Sequence, residues 1–205
     1  MRILGEIPSQ AGPALRAGTL RRRDLAAFDG LREELGPAHT VLVTGDPARR
    51  QQAAVGLATA AAVGGTRTVL VECDLDEPAL AEELGLAVAP GLGEYLRGEA
   101  DAGRVLEPVV LAGPGSATAS EPLVCVVAGR PVRDGSALLE SEGFRHVVAK
   151  LRGGYELVVF AGPASGEDGA LAAVAAESDA TLACVGRSDP APDLPVPLTG
   201  LVVEG

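Results

Sequence analysis

The chain has 205 residues, which suits one domain with a substantial core. Apolar residues make up 47% of it and aromatics 2%, so that core must be packed from small aliphatic side chains, as in sheets covered on both faces. A formal net charge of −11 argues against a nucleic-acid-binding surface, which needs clustered Lys and Arg. Met1–Gly5 lacks the apolar stretch of a signal peptide, and no segment approaches the roughly 20 unbroken apolar residues of a membrane helix. A cytoplasmic protein without a direct membrane span is the expectation. The basic run Arg21-Arg22-Arg23 reads as a solvated face.

In chain order, the first predicted strand is Thr40–Thr44 (TVLVT). An Ala-rich helix over Gln52–Val63 follows, closed by Gly64-Gly65. Further strands are predicted at Thr68–Glu72 (TVLVE) and Leu123–Ala128 (LVCVVA), separated by a small-residue loop at Leu111–Ser120 that should be exposed and mobile. Ala137–Leu151 carries apolar residues at helical spacing and ends at Gly153-Gly154. Strands at Glu156–Phe160, Thr181–Val185 and Leu201–Val203 bracket a shorter helix at Gly169–Ala176. Most strand runs are continuous rather than alternating, and strand and helix repeat in order. That pattern predicts a doubly wound, mostly parallel α/β sheet with helices on both faces.

Ser188–Thr199 holds Pro190, Pro192, Pro195 and Pro197 and cannot be a regular helix. A parallel crossover normally carries one. The expectation is therefore that the sheet face near the last strand is less covered than usual and offers an apolar docking surface. Cys73, Cys125 and Cys184 lie in apolar runs without CxxC spacing, and His39 and His146 stand apart, so no metal is expected.

Several short motifs carry a family resemblance. Leu4-Gly5-Glu6-Ile7-Pro8 resembles the lead-in to the cytoplasmic domain of bacterial tyrosine kinases (BY-kinases) of capsule and exopolysaccharide systems. Ala26–Arg32 (AAFDGLR) is similar to that family's E-x-F/Y-R-x-L-R helix. Pro90–Gly98 (PGLGEYLRG) resembles its P-G-L-S-x-x-L-x-G, while Ala128-Gly129 and Ala137–Phe144 resemble its A-G…E-L-L-x-S-x-x-F. The last two stretches distinguish this branch from the related MinD/ParA ATPases, which share the sheet. The resemblance implies a single P-loop NTPase-like domain over 1–205, with 1–37 as lead-in and helix and 38–205 as α/β core.

The nucleotide-processing residues of that family are altered. A P-loop needs glycines that aim N–H groups at phosphates, a Lys for the outer phosphates and a hydroxyl for Mg²⁺. Strand Thr40–Thr44 is followed instead by Gly45-Asp46-Pro47-Ala48-Arg49-Arg50-Gln51-Gln52, in which neither possible register restores the motif. The hydrophobic-D-x-D element reads Glu72-Cys73-Asp74. At the Walker B strand Ala161 stands at the metal-holding Asp, and Glu204 lies near the family's base-reading Asn. Arg49 and Arg50 read first as a solvated helix start and alternatively as a residual anion site. Asp74 and Glu72 read as vestigial or structural. Arg49, Arg50 and Asp74 are therefore the candidate cofactor-binding residues in vestigial form, with no catalytic and no metal-binding residue.

By this reading no cofactor is expected, weak Mg-ATP binding through Arg50 and Asp74 being the alternative. The resemblance implies a pseudo-kinase or pseudo-ATPase module in cell-surface polysaccharide biosynthesis at the inner face of the membrane. Its partner would be a protein such as a membrane chain-length regulator. Arg32 keeps one member of the family's self-association helix, but Ala26 and Asp29 replace its Glu and Arg, so a monomer or dimer is expected rather than a ring. Two other readings stand beside this one: a divergent ATPase or tyrosine kinase, and a MinD/ParA-like scaffold in another membrane-associated system.

Overall fold

The computed structural model describes residues 2–7, 22–109, 122–163 and 169–204. The run Ile3–Ile7 forms strand β1, and Arg22–Leu35 forms helix α1. Then come β2 (Thr40–Gly45), α2 (Pro47–Val63) and β3 (Thr68–Glu72). Three short helices follow, α3 (Leu80–Leu84), α4 (Leu92–Leu96) and α5 (Ala102–Val105), with the short strand β4 at Glu107–Val109. The remainder is β5 (Leu123–Val126), α6 (Gly135–Leu139), α7 (Glu142–Gly154), β6 (Leu157–Ala161), α8 (Ala170–Ala176), β7 (Ala180–Val185) and β8 (Gly200–Glu204).

The strands form one sheet in the order β1-β8-β7-β2-β6-β3-β5-β4. Every neighbouring pair is parallel except β4 with β5. This is the doubly wound architecture that the alternating elements predict. The continuous apolar runs have the burial that such a sheet demands, since every residue of β2, β3, β6 and β7 is buried. Phe28 and Leu31 of α1, Leu57 of α2 and Leu80 of α3 pack on one face of the sheet. Leu92 of α4, Leu139 of α6, Phe144 and Val148 of α7, and Leu171 and Val174 of α8 pack on the other.

Helix α2 begins five residues before the predicted Gln52. Asp46 is its N-cap, accepting from the Arg49 N–H at 3.1 Å, and Pro47 occupies the first helical position, where a missing N–H costs nothing. Gly56 lets α1 close on this helix, because a Cβ there would overlap the Phe28 ring. The single helix predicted over Ala137–Leu151 is two. Ser141 breaks it by capping α7, its hydroxyl accepting from the Phe144 N–H at 3.2 Å. Gly153 and Gly154 remain helical, and the helix ends at Tyr155. The strand predicted to reach Ala128 stops at Val126, for reasons given by the site below. The loop predicted at Leu111–Ser120 lies outside the described residues.

The Pro-rich segment is irregular, as its composition requires, but it does not leave the sheet bare. Leu194 and Leu198 lie against Ala183, Val185, Leu201 and Val203 of β7 and β8, all of which are buried. Val196 is itself buried among the residues of the α7–α8 face. The expectation of an open apolar docking face is thus overturned. Prolines exclude a helix, but an extended chain still turns alternate aliphatic side chains onto a sheet. The Thr199 N–H bonds the Thr181 carbonyl at 2.8 Å, and the Thr181 N–H returns a bond to Thr199 Oγ1 at 3.0 Å, stitching the strap to β7.

Candidate functional site

Parallel pairing brings Gly45, Glu72, Val126, Ala161, Val185 and Glu204 to one edge of the sheet, the carboxyl ends of the strands. Open α/β sheets bind ligands outside this edge. The turn from β2 into α2 is as short as a turn can be. Gly45 has φ +104°, and a Cβ on it would overlap the Cys184 carbonyl. The Asp46 N–H donates to that same carbonyl at 3.1 Å. Helical geometry starts at the next residue, so no glycine-rich loop intervenes. Asp46 places its carboxylate over the helix N-terminus, where the dipole favours negative charge.

Both candidate arginines have partners. Arg49 Nε lies 2.8 Å from Glu204 Oε2, and its Nη1 lies 3.1 Å from Asp46 Oδ2. The hydrogen bond to Glu204 is the main cause holding the Arg49 pKa above its ordinary value. Arg50 Nη2 is hydrogen-bonded to Asp74 Oδ2 in an ion pair whose side chains are only 7% and 10% exposed. Asp74 Oδ1 accepts from the Glu77 N–H at 3.0 Å. The three predicted site residues are therefore two pairings: Arg50 with Asp74, and Arg49 with Asp46 and Glu204. Two donors, Arg50 Nη1 and Gln51 Nε2, are buried without a partner among the described residues.

Glu72, at the end of β3, is 1% exposed. Its Oε1 accepts from the Ala79 and Leu80 N–H groups at 2.6 and 2.7 Å, capping α3, and its Oε2 accepts from the Ala128 N–H at 2.9 Å. Burial pushes its carboxyl above the usual range; the three N–H groups only partly offset this, and neighbouring Asp74 adds to the rise. Ala161, beside it in the sheet, is fully buried, and its carbonyl accepts from the Cys73 N–H at 2.8 Å. Strand β6 thus brings no carboxylate to this edge. Among the described residues no group of His, Cys, Asp or Glu is arranged to hold a metal ion.

The two stretches that carried the finer resemblance turn out to be one structural unit. The Leu92 and Gly93 N–H groups donate to the Val127 and Ala128 carbonyls, both at 2.8 Å. Glu94 accepts from the Gly91 N–H at 2.9 Å and the Arg130 N–H at 3.2 Å, with Arg97 Nη2 at 3.7 Å. Burial alone would raise the Glu94 carboxyl, but these N–H groups and Arg97 hold it below the usual range. The backbones approach so closely that a Cβ on Gly91 would overlap Gly129, and one on Gly129 would overlap Glu94. This docking takes over the backbone of 127–130 and ends the β5 ladder at Val126. Sequence reasoning quoted Glu94 inside its motif but gave it no role. The available signal was the capping-box spacing, a Glu three residues after Gly91.

Tyr155 packs half-buried against the α7–α8 face, and burial pushes its phenol up. The carboxylates Asp76, Glu77 and Glu82, which follow β3, are exposed.

No family model and no curated protein sequence matches the chain. Solved structures do. The chimerical protein CapA2B2 superposes with a TM-score of 0.82 at 18% identity, covering 100% of this chain and 94% of that one. The kinase domain of the Escherichia coli tyrosine kinase ETK gives 0.79 at 15% identity, covering 100% and 90%. The septum site-determining protein MinD of Pyrococcus horikoshii OT3, complexed with Mg-ADP, gives 0.56 at 16% identity and covers 81% of each chain. At such identities the likeness establishes the fold: a P-loop NTPase-type sheet shared by bacterial tyrosine kinase domains, whose motifs the sequence resembles, and MinD.

Proposed function

We propose that this domain is a non-catalytic member of the BY-kinase fold group, a regulatory or protein-interaction module in cell-surface polysaccharide biosynthesis. The carrying observation is that the corner facing a nucleotide in this fold is filled by the chain's own charges. Asp46 caps the helix that would receive phosphates, Arg49 is held between Asp46 and Glu204, and Arg50 is tied to Asp74. The residues present do not fit Mg-ATP. Phosphoryl transfer needs a metal clamp and a positioned cation, whereas Ala161 offers no ligand and both arginines are already neutralised. In this reading Arg49, Arg50 and Asp74 are remnants of a cofactor site turned into structural pairs. The polysaccharide context rests on the sequence resemblance, and so do the partner, a membrane chain-length regulator, the location at the cytoplasmic face and the monomeric or dimeric state. Among the described residues no helix is long and apolar enough to cross a membrane.

A thermal melt tests the reading. A specific ligand at about 100 times its Kd adds about 2.7 kcal/mol of stability. Millimolar Mg-ATP should leave the melting temperature unchanged. A clear rise with ATP that pyrophosphate and GTP do not reproduce refutes it. Such a rise would support the second reading, a divergent ATPase or kinase, which one observation favours: Arg50 Nη1, in the first turn of α2, is a buried donor without an acceptor. The third reading, a MinD/ParA-like scaffold elsewhere, rests on the shared sheet alone. A chain-length-regulator segment adjoining this domain in its full-length protein separates it from the first.

A further inference from the structure

We draw no further inference here: the strongest candidate, the side-chain cluster at the head of α2 in which Arg50 Nη1 and Gln51 Nε2 are buried without a partner among the described residues, belongs to the nucleotide corner already described.

Discussion

Removing Asp74 should cost more than removing Arg50, although the two form one pair. In Asp74→Ala the guanidinium stays buried at the head of α2 with no counter-charge, and its Nη1 already lacks a partner. A guanidinium cannot shed its charge, whereas a buried carboxyl left alone can take up a proton. Breaking a buried ion pair by deleting one member costs about 3–5 kcal/mol. For a domain of this size each kcal/mol lowers the melting temperature by about 2–4 °C, so Asp74→Ala should melt about 6–20 °C lower. Arg50→Met keeps the aliphatic stem and should lose distinctly less. The double variant Arg50→Met/Asp74→Ala removes both charges and should be more stable than Asp74→Ala alone. Urea denaturation of the four proteins, with Mg-ATP absent, gives the cycle directly. Additive losses, or an Asp74→Ala loss below about 1 kcal/mol, would refute the claim that the pair is a structural element.

Gly56→Ala should destabilise by about 1–3 kcal/mol, against the gain of up to about 1 kcal/mol that alanine normally brings to a helix, because its methyl overlaps the buried Phe28 ring; a melt at or above that of the parent contradicts this. Glu72 has a folded pKa raised above 4.5, so the folded state holds that proton more tightly than the unfolded state. Its contribution to stability should therefore fall as pH rises from just below 4.5 through the raised folded value, and level off above it. Glu94, with a lowered folded pKa, has the opposite sign, its contribution being lost as pH falls from 4.5 through the folded value. Urea midpoints of the parent and of Glu72→Gln between about pH 4 and 7 should differ by the first slope, and parallel profiles would discard it. Sedimentation velocity should give a monomer or dimer, and a stable ring-sized species would contradict the reading of Ala26 and Asp29.

The sheet was legible because β2, β3, β6 and β7 are continuous apolar runs, which in an α/β order have few other destinations. Strand β1 was not, because Leu4-Gly5-Glu6 sits partly exposed at an edge and shows no such run. The start of α2 was written in the sequence as Asp46-Pro47, a cap followed by a helix-initiating proline, but the alanine run drew the boundary inward. At the site, the missing lysine, glycines and Walker B aspartate can be read one residue at a time. What replaces them cannot, since Arg50 meets Asp74 across 24 positions and Arg49 meets Glu204 across 155. The Pro-rich strap misled for a different reason: losing helical hydrogen bonds and losing aliphatic cover are separate matters, and only the first follows from proline.

The place of β2 in the strand order bears on how the domain is made. The first strand of the core lies between β6 and β7, pairing Val41 with Val159 and Ala180, and β1 pairs only with β8 among the described strands. Neither can find its sheet partner until more than a hundred further residues have been synthesised. During translation the growing chain would hold β2 and α2 as a strand and helix without a central ladder, and closure of the sheet waits for the last third of the sequence. An apolar run as unbroken as TVLVT is then exposed for as long as that takes, and brevity and the polar turn at Asp46 are its local safeguards.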